Sequence, residues 1–308
     1  MRIKGGIAVI VRIFVGLVFV FSAVTKYISI EAFDMFVFEH GLFSWVFTTF
    51  ATRILISFEA VLGLLLLSGI YLRFTRVAAI GVLVLFTLYV ALKPYVFPHV
   101  GEDNCHCFGT VLLLSDNQTI IKNLVLLALS PFLFFDGGWR TKKAKWLVLI
   151  FSLVSLSSAF IIRPPDVIVH AIYGKQAELD EAKFNDLLDY LSSEGMDVKQ
   201  GKKVLCLYAP ICKHCQRTAI KLNVMINRHS LNKACFVNVF WGSDKMVDAF
   251  YKRTKVGKDM TTCIVPAPMF LSATKGKQPV VVLLDNGRID GLYKSTDLNE
   301  AGIVNFLK

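Results

Sequence analysis

The first 104 residues contain no cysteine, although the chain of 308 residues holds seven. No cysteine falls in any long apolar run either, which closes the route by which thiols inside a bilayer carry reducing equivalents across it. Basic residues nowhere form a block with aromatics between them, so nucleic acid is excluded as a partner. There is no internal repeat and no low-complexity tract. The first apolar run lacks a small-x-small cleavage site and further runs follow it, so it reads as retained and not as a signal peptide. An odd cysteine count leaves at least one thiol free or only transiently paired.

What is present in excess is apolar surface. The chain is 55% hydrophobic with mean hydropathy +0.56, against about 45–50% apolar for a soluble domain. The excess lies in the first half, in five runs at Ile7–Ala23, Ile54–Leu72, Val77–Phe97, Thr119–Phe135 and Trp146–Ile162. A bilayer-spanning helix needs about 20 such residues. The last two runs are short but carry interfacial Trp139 and Trp146. Arg2, Lys4, Arg12, Arg73, Arg76, Arg140, Lys142, Lys143 and Lys145 gather in alternate connecting segments. Lys26, Arg53, Lys93, Lys122 and Arg163 occupy the others, diluted by acids. The positive-inside rule then puts the N-terminus in the cytosol and, after five spans, the C-terminal half outside. The lipid bilayer is thus an expected partner, and a bacterial inner membrane with the second domain in the periplasm the expected location. Disulfides persist on that side.

Consecutive prolines at Pro164 and Pro165 end the last span, and the composition becomes that of a soluble domain. An amphipathic helix is expected over Glu178–Leu191, then the buried strand "KVLCLYAP" and a helix opening at "CKHC". The strand "ACFVNVFW", the helix "DKMVDAFYKRT", a hairpin turning at Asn286-Gly287 and a closing helix follow. This order makes a small α/β domain. Residues Lys258 to Lys277 read as an insertion without an assigned place.

Cys212 and Cys215 carry the first chemistry. A thiol at a helix start meets unpaired N–H groups and the helix dipole, which stabilise its anion and make it the nucleophile. A second thiol one turn on resolves the mixed disulfide. Lys213 and His214 add positive charge. A structural disulfide or half a zinc site is the alternative, and a single Cys-x-x-Cys lacks the second pair a structural zinc site expects. From about residue 170 to 308 the chain resembles the thioredoxin-like family, on "APICKHCQ" and "KQPVVVLLDNGRI". The resemblance implies that Cys212 attacks, that Cys215 resolves, and that a cis-proline at Pro279, with Gln278, forms the substrate-facing wall.

Cys105 and Cys107 flank His106 in "EDNCHCFG". A disulfide across one residue closes a very small ring, and strain makes such a bond easier to reduce. That suits a pair that accepts electrons. His106 would stabilise a leaving thiolate or ligate a metal, and a soft-metal site or an inert loop pair are the alternatives. On "VGLVFVFSAVTK", "FEAVLGLLLLSG" and "NCHCFG", residues 5 to 140 resemble the DoxX-like family and, within it, the MauE type. That type usually has glycine between the two cysteines. The resemblance implies a four-helix core, with the fifth span a tether. In methylamine utilisation systems a MauE-like membrane protein works beside the separate thioredoxin-like MauD. The present chain looks like those two parts fused, the second being of MauD or TlpA-like type.

The expected architecture is therefore an α-helical multi-pass membrane bundle over residues 1–140, a fifth helix and linker over 141–169, and an α/β thioredoxin-like domain over 170–308. The expected function is membrane-anchored thiol–disulfide oxidoreduction, in which Cys105/Cys107, Cys212/Cys215 and extracytoplasmic client thiols exchange disulfides. Oxidation with a quinone as electron acceptor is the favoured direction. Rival readings are Cu(I) or zinc handling by the same thiols and an assembly factor whose thiols are incidental. Glu59 inside the second span is a functional candidate by position, either relaying a proton, binding a quinone head group, pairing within the bundle, or reaching a polar cavity near the outer surface. His40 and His99 lie on the side of the "CHC" loop, either toward a quinone or in the interface. Cys206 reads as a buried hydrophobe, and Cys235 with Cys263 as either a disulfide or two free thiols.

Overall fold

A computed structural model of the chain describes residues 2–98, 100, 105–138, 142–174 and 177–308. His99 and Trp139 lie outside the described residues. The chain divides into two compact units, Met1–His40 with Val46–Pro165, and Gly41–Trp45 with Asp166–Lys308.

The first unit holds α1 (Arg2–Ile28), α2 (Ile30–Glu39), α3 (Trp45–Ser68), α4 (Leu72–Val96), α5 (Asp116–Leu129, continued by a 3-10 turn to Phe135) and α6 (Ala144–Ile161). Five of its helical segments are long and apolar enough to cross a membrane. Val15 and Phe19 of α1, Leu62 and Leu66 of α3, Leu83 of α4 and Leu126 of α5 share one core. Gly16 and Gly63 let α1 and α3 approach closely, since a Cβ on Gly63 would come 2.7 Å from Val20 and 3.0 Å from the Gly16 carbonyl. The sixth helix stands at the margin: Ala159 is its buried residue, and it attaches through Tyr27 Oη donating to the Ser158 carbonyl at 2.8 Å and a Phe50–Phe160 ring contact. Four helices thus form the core and the fifth span is added to it.

Several bases expected in connecting segments lie inside helices. The second span begins at Trp45 and not at Ile54, because Arg53 is satisfied there: its Nη1 contacts both Asp34 carboxylate oxygens at 2.7 and 2.6 Å. Both residues are buried, and Asp34 comes from α2, a short helix the apolar runs did not reveal. Lys26 lies in α1, Lys93 in α4 (paired with Asp116 at 3.1 Å) and Lys122 in α5. Arg12 is likewise within α1, at the other end of the bundle, paired with Asp136 at 2.8 Å and donating to the Leu67 carbonyl at the end of α3.

The second unit is built on a five-stranded sheet ordered β3-β2-β1-β4-β5. Its strands are β1 (Lys202–Tyr208), β2 (Phe236–Trp241), β3 (Thr261–Val265), β4 (Val280–Asp285) and β5 (Arg288–Tyr293). β1, β2 and β3 run parallel, and β4 lies antiparallel to both β1 and β5. The helices are α7 (Asp166–Tyr173), α8 (Glu181–Ser193), α9 (Lys213–His229), α10 (Asp244–Thr254), α11 (Ala267–Ala273) and α12 (Glu300–Leu307). β1 and β4 are continuous apolar runs because helices cover the sheet. Phe184, Leu187 and Leu191 of α8 pack against Leu205, Leu207, Val280 and Val282. The supposed insertion has a place after all: it supplies edge strand β3 and α11, whose Phe270 and Ala273 enter the same core. The hairpin turns at Asn286 and Gly287, both at positive φ. This is a thioredoxin-like arrangement.

Candidate functional site

β1 delivers the chain into Ala209-Pro210-Ile211, and α9 begins immediately after Cys212, which is its N-cap. Cys212 Sγ accepts from the Cys215 backbone N–H at 3.5 Å. Cys215, one turn on, is fully buried and its Sγ accepts from the Ala209 N–H at 3.3 Å. Gln216 ties the loop by donating to the Pro210 carbonyl at 3.0 Å. The two thiols are free and unequal. Cys212 is half-buried, and its pKa falls to about 5, chiefly because the Cys215 thiol donates to it. Burial opposes this, while the backbone N–H groups and His214 assist. Cys215 moves far upward, mainly by burial. Lys213 and His214 are exposed, and Lys213 is not among the groups that lower Cys212.

The Gln278–Pro279 peptide is cis. Val280 pairs with Leu207 across the sheet, so continuing that register sets Pro279 beside Tyr208, at the sheet end where β1 runs into Cys212. The side-chain oxygen of Gln278 is buried without a hydrogen-bond partner among the described residues. Cys206 is buried within β1 and its pKa rises to about 12 through burial, the behaviour of an inert core residue. Cys235 and Cys263 are both free thiols, and Cys263 is buried in β3.

In the first unit Cys105 and Cys107 form a disulfide, with Cα atoms 5.3 Å apart, and both are buried. Gly109 fixes where this loop sits. It has φ +57°, and a Cβ there would lie 1.9 Å from Ser29 Oγ and 2.7 Å from the Thr25 carbonyl. The Thr110 N–H donates to the same Ser29 hydroxyl at 3.0 Å. His106 also takes a left-handed conformation, and its ring packs 4.7 Å from that of Phe36. His40 also packs against Phe36, with ring centroids 5.1 Å apart, and its Nε2 is 2.7 Å from the Tyr89 hydroxyl.

Two helices complete the site with residues the motif alone does not reveal. Ser115 and Gln118 form a capping box that starts α5 directly after the loop. Thr119, Asn123 and Leu126 then fall on one buried face. Thr119 Oγ1 lies 3.0 Å from Cys105 Sγ and 3.6 Å from Cys107 Sγ. Disulfide sulfurs carry no hydrogen, so the hydroxyl donates. On the opposite wall, Ser22 Oγ is 2.7 Å from both Glu59 Oε1 and the Cys107 carbonyl. Lys26 Nζ reaches Glu59 Oε2 at 2.6 Å. Glu59 therefore pairs within the bundle and also lines a cavity, together with Ser22, Lys26, Cys107, Lys122 and Asn123. The sequence signal for this was present in polar residues three and four apart, Thr119, Lys122 and Asn123, on an otherwise apolar helix. Among the described residues no three His, Cys, Asp or Glu side chains converge to hold a metal ion.

The family described as methylamine utilisation protein MauE matches residues 4–136. Protein TlpB of Flavobacterium psychrophilum is 24% identical over 292 residues, covering 79% of each chain. No solved structure matches.

Proposed function

From a chain that joins a MauE-type membrane domain to a thioredoxin-like domain, we propose a membrane-anchored thiol–disulfide oxidoreductase that oxidises client proteins outside the cytosol. The observation that carries this reading is the inequality of Cys212 and Cys215. One is a half-buried helix N-cap with its pKa lowered to about 5, the other a buried thiol pushed upward. A nucleophile and a resolving thiol need that difference.

In the oxidising direction the domain's Cys212–Cys215 disulfide is attacked by a client thiolate. A mixed disulfide forms at Cys212 and the client's second thiol resolves it. The client leaves with a disulfide and the domain leaves as a dithiol. The Cys212 thiolate then attacks the Cys105–Cys107 bond, Cys215 displaces the membrane cysteine, and two electrons and two protons have moved to the membrane pair. Thr119, whose single hydroxyl hydrogen is within reach of either sulfur, steadies the leaving thiolate by donating to it. Pro279 and Gln278 form the wall against which a client chain lies. Holding both pairs in one chain gives an effective concentration of about millimolar, so the exchange needs no special affinity. This reading places the N-terminus in the cytosol and the thioredoxin-like domain in the periplasm.

The test is the redox state of the four cysteines in intact cells, trapped with acid and alkylated with a mass-tagged maleimide. The Cys212/Cys215 pair should be mostly oxidised in the wild type and become reduced in Cys105→Ser. A domain that is reduced in the wild type and becomes oxidised in the variant reverses the electron flow and overturns the oxidase reading. A domain unaffected by the substitution overturns the relay.

A further inference from the structure

A dithiol formed at Cys105 and Cys107 must pass its electrons on, and the cavity beside Cys107 has the chemistry to receive a carrier. Its volume is about 80 Å³. At its polar end Asn123 is fully buried, and neither its amide nitrogen nor its oxygen meets a partner among the described residues. Leaving such a group unpaired costs about 1–3 kcal/mol, and buried polar groups in folded proteins are rarely left so. The position asks for an occupant that can both accept from and donate to an amide. Beside it, Lys26 is held by Glu59 and Ser22. Lys122, half-buried, lies 4.7 Å over the Phe108 ring with no ion pair among the described residues. The remaining walls are apolar, and Leu55 and Phe58 are exposed at the bundle surface, the surface that faces lipid in a membrane.

We propose that this cavity binds the head group of a bilayer quinone, which oxidises the Cys105/Cys107 dithiol. The proposal rests on the oxidase reading above and supplies its electron acceptor. A quinone carbonyl accepts from the Asn123 amide, and the hydroquinone hydroxyl that replaces it donates to the amide oxygen, so one side chain serves both redox states. The two ammonium groups stabilise the negative charge that develops on the ring oxygens. The cavity is smaller than the roughly 150 Å³ that encloses a benzene. It therefore takes one carbonyl edge, and the rest of the ring and its tail extend past Leu55 and Phe58 into lipid. The step balances: the two thiols give up two electrons and two protons, the sulfur–sulfur bond forms, and the quinone takes both electrons and both protons and leaves as the quinol.

The test uses the full chain in nanodiscs free of endogenous quinone, carrying Cys212→Ser and Cys215→Ser so that the membrane pair is the one redox-active pair, with the thiols of Cys206, Cys235 and Cys263 counted as a constant background. The pair is reduced, and decylubiquinone is added while quinone absorbance and free thiols are followed. One quinone should be reduced per dithiol oxidised. Asn123→Leu should raise the half-saturating quinone concentration about ten-fold, the scale of one buried hydrogen bond. Val82→Trp, which fills the cavity from its apolar wall, should raise it at least as much, and it carries the test if Asn123→Leu fails to fold. In the chain with all cysteines, Val82→Trp should leave exchange between the two thiol pairs unchanged. Absence of quinone reduction, or equal half-saturation in wild type and both variants, overturns the site. Intact exchange between the pairs in that case leaves the relay standing. Quinone reduction without exchange overturns the relay and leaves the site.

Discussion

Two thiols three residues apart shift in opposite directions in acidity when one caps a helix and the other lies beneath it. Cys212 meets the Cys215 thiol, two backbone N–H groups and His214, whereas Cys215 meets mainly apolar surroundings. The sign of the pH effect follows. The folded pKa of Cys212 lies below the ordinary thiol value, so thiolate is favoured by folding. That stabilisation is complete above the unfolded pKa, about 8.5. It declines as pH falls and is lost below about 5, the folded value. Alkylation of Cys212 by iodoacetamide should accordingly rise with a midpoint near 5. The largest cause is the Cys215 thiol, so Cys215→Ala should move that midpoint upward, read by mass spectrometry of the alkylated peptide across pH. An unmoved midpoint would assign the shift to the backbone and His214 instead. The asymmetry itself was legible from "CKHC" after an apolar strand. The dominant role of Cys215 was not, because it depends on the distance between the two sulfurs, and Lys213, adjacent in sequence, points to solvent.

At the scale of elements, the "CHC" loop is held by its neighbours and not by its own sequence. Gly109 packs against α1 where a methyl group would overlap Ser29 Oγ and the Thr25 carbonyl, and it does so at positive φ. Gly109→Ala should destabilise the membrane domain by about 2–3 kcal/mol, from steric overlap and backbone strain together. Thermal unfolding in detergent reads this, and an unchanged Tm would mean that the loop docks some other way. The helical spans and the sheet were readable because long apolar runs and buried strands leave strong periodic signals. The errors share one cause. α2 is short and carries Asp34, and α3 begins with Thr48, Thr49, Thr52 and Arg53, so both look like loop. They are helical because Arg53 and Asp34 neutralise each other in the bundle, a tertiary effect invisible in a hydropathy window. Strand β3 was hidden in the same way, since an edge strand of five residues has little periodicity of its own.

At the scale of the whole molecule, the same ion pairs change which bases count towards orientation in a membrane. Lys26, Arg53 and Lys93 are buried in helices and paired with acids, so they do not count as loop charge. Of the bases the sequence placed at that end, Arg163 is the exposed one among the described residues, while exposed Arg73, Lys142, Lys143 and Lys145 remain at the other, and the positive-inside bias is steeper than a raw count of bases suggests. On the proposed topology, in which both thiol pairs face one compartment, the tether between them becomes part of the chemistry. A relay between pairs in one polypeptide is first-order and independent of protein concentration. Introducing a protease site between Gly174 and Ala177 and cutting it should convert the same exchange into a second-order one. At micromolar protein the rate should fall about a thousand-fold from its tethered value, the ratio of a millimolar effective concentration to the real one, and rise in proportion as cut protein is concentrated. Rapid reduction of the Cys212/Cys215 pair by an added client dithiol starts the exchange in the intact chain, and stopped-flow mixing of the separated reduced domain with the oxidised membrane part starts it after cleavage, so both regimes are measured. A rate that cleavage leaves untouched would mean that the two domains bind each other tightly without the tether, and the fifth span would then serve only as an anchor.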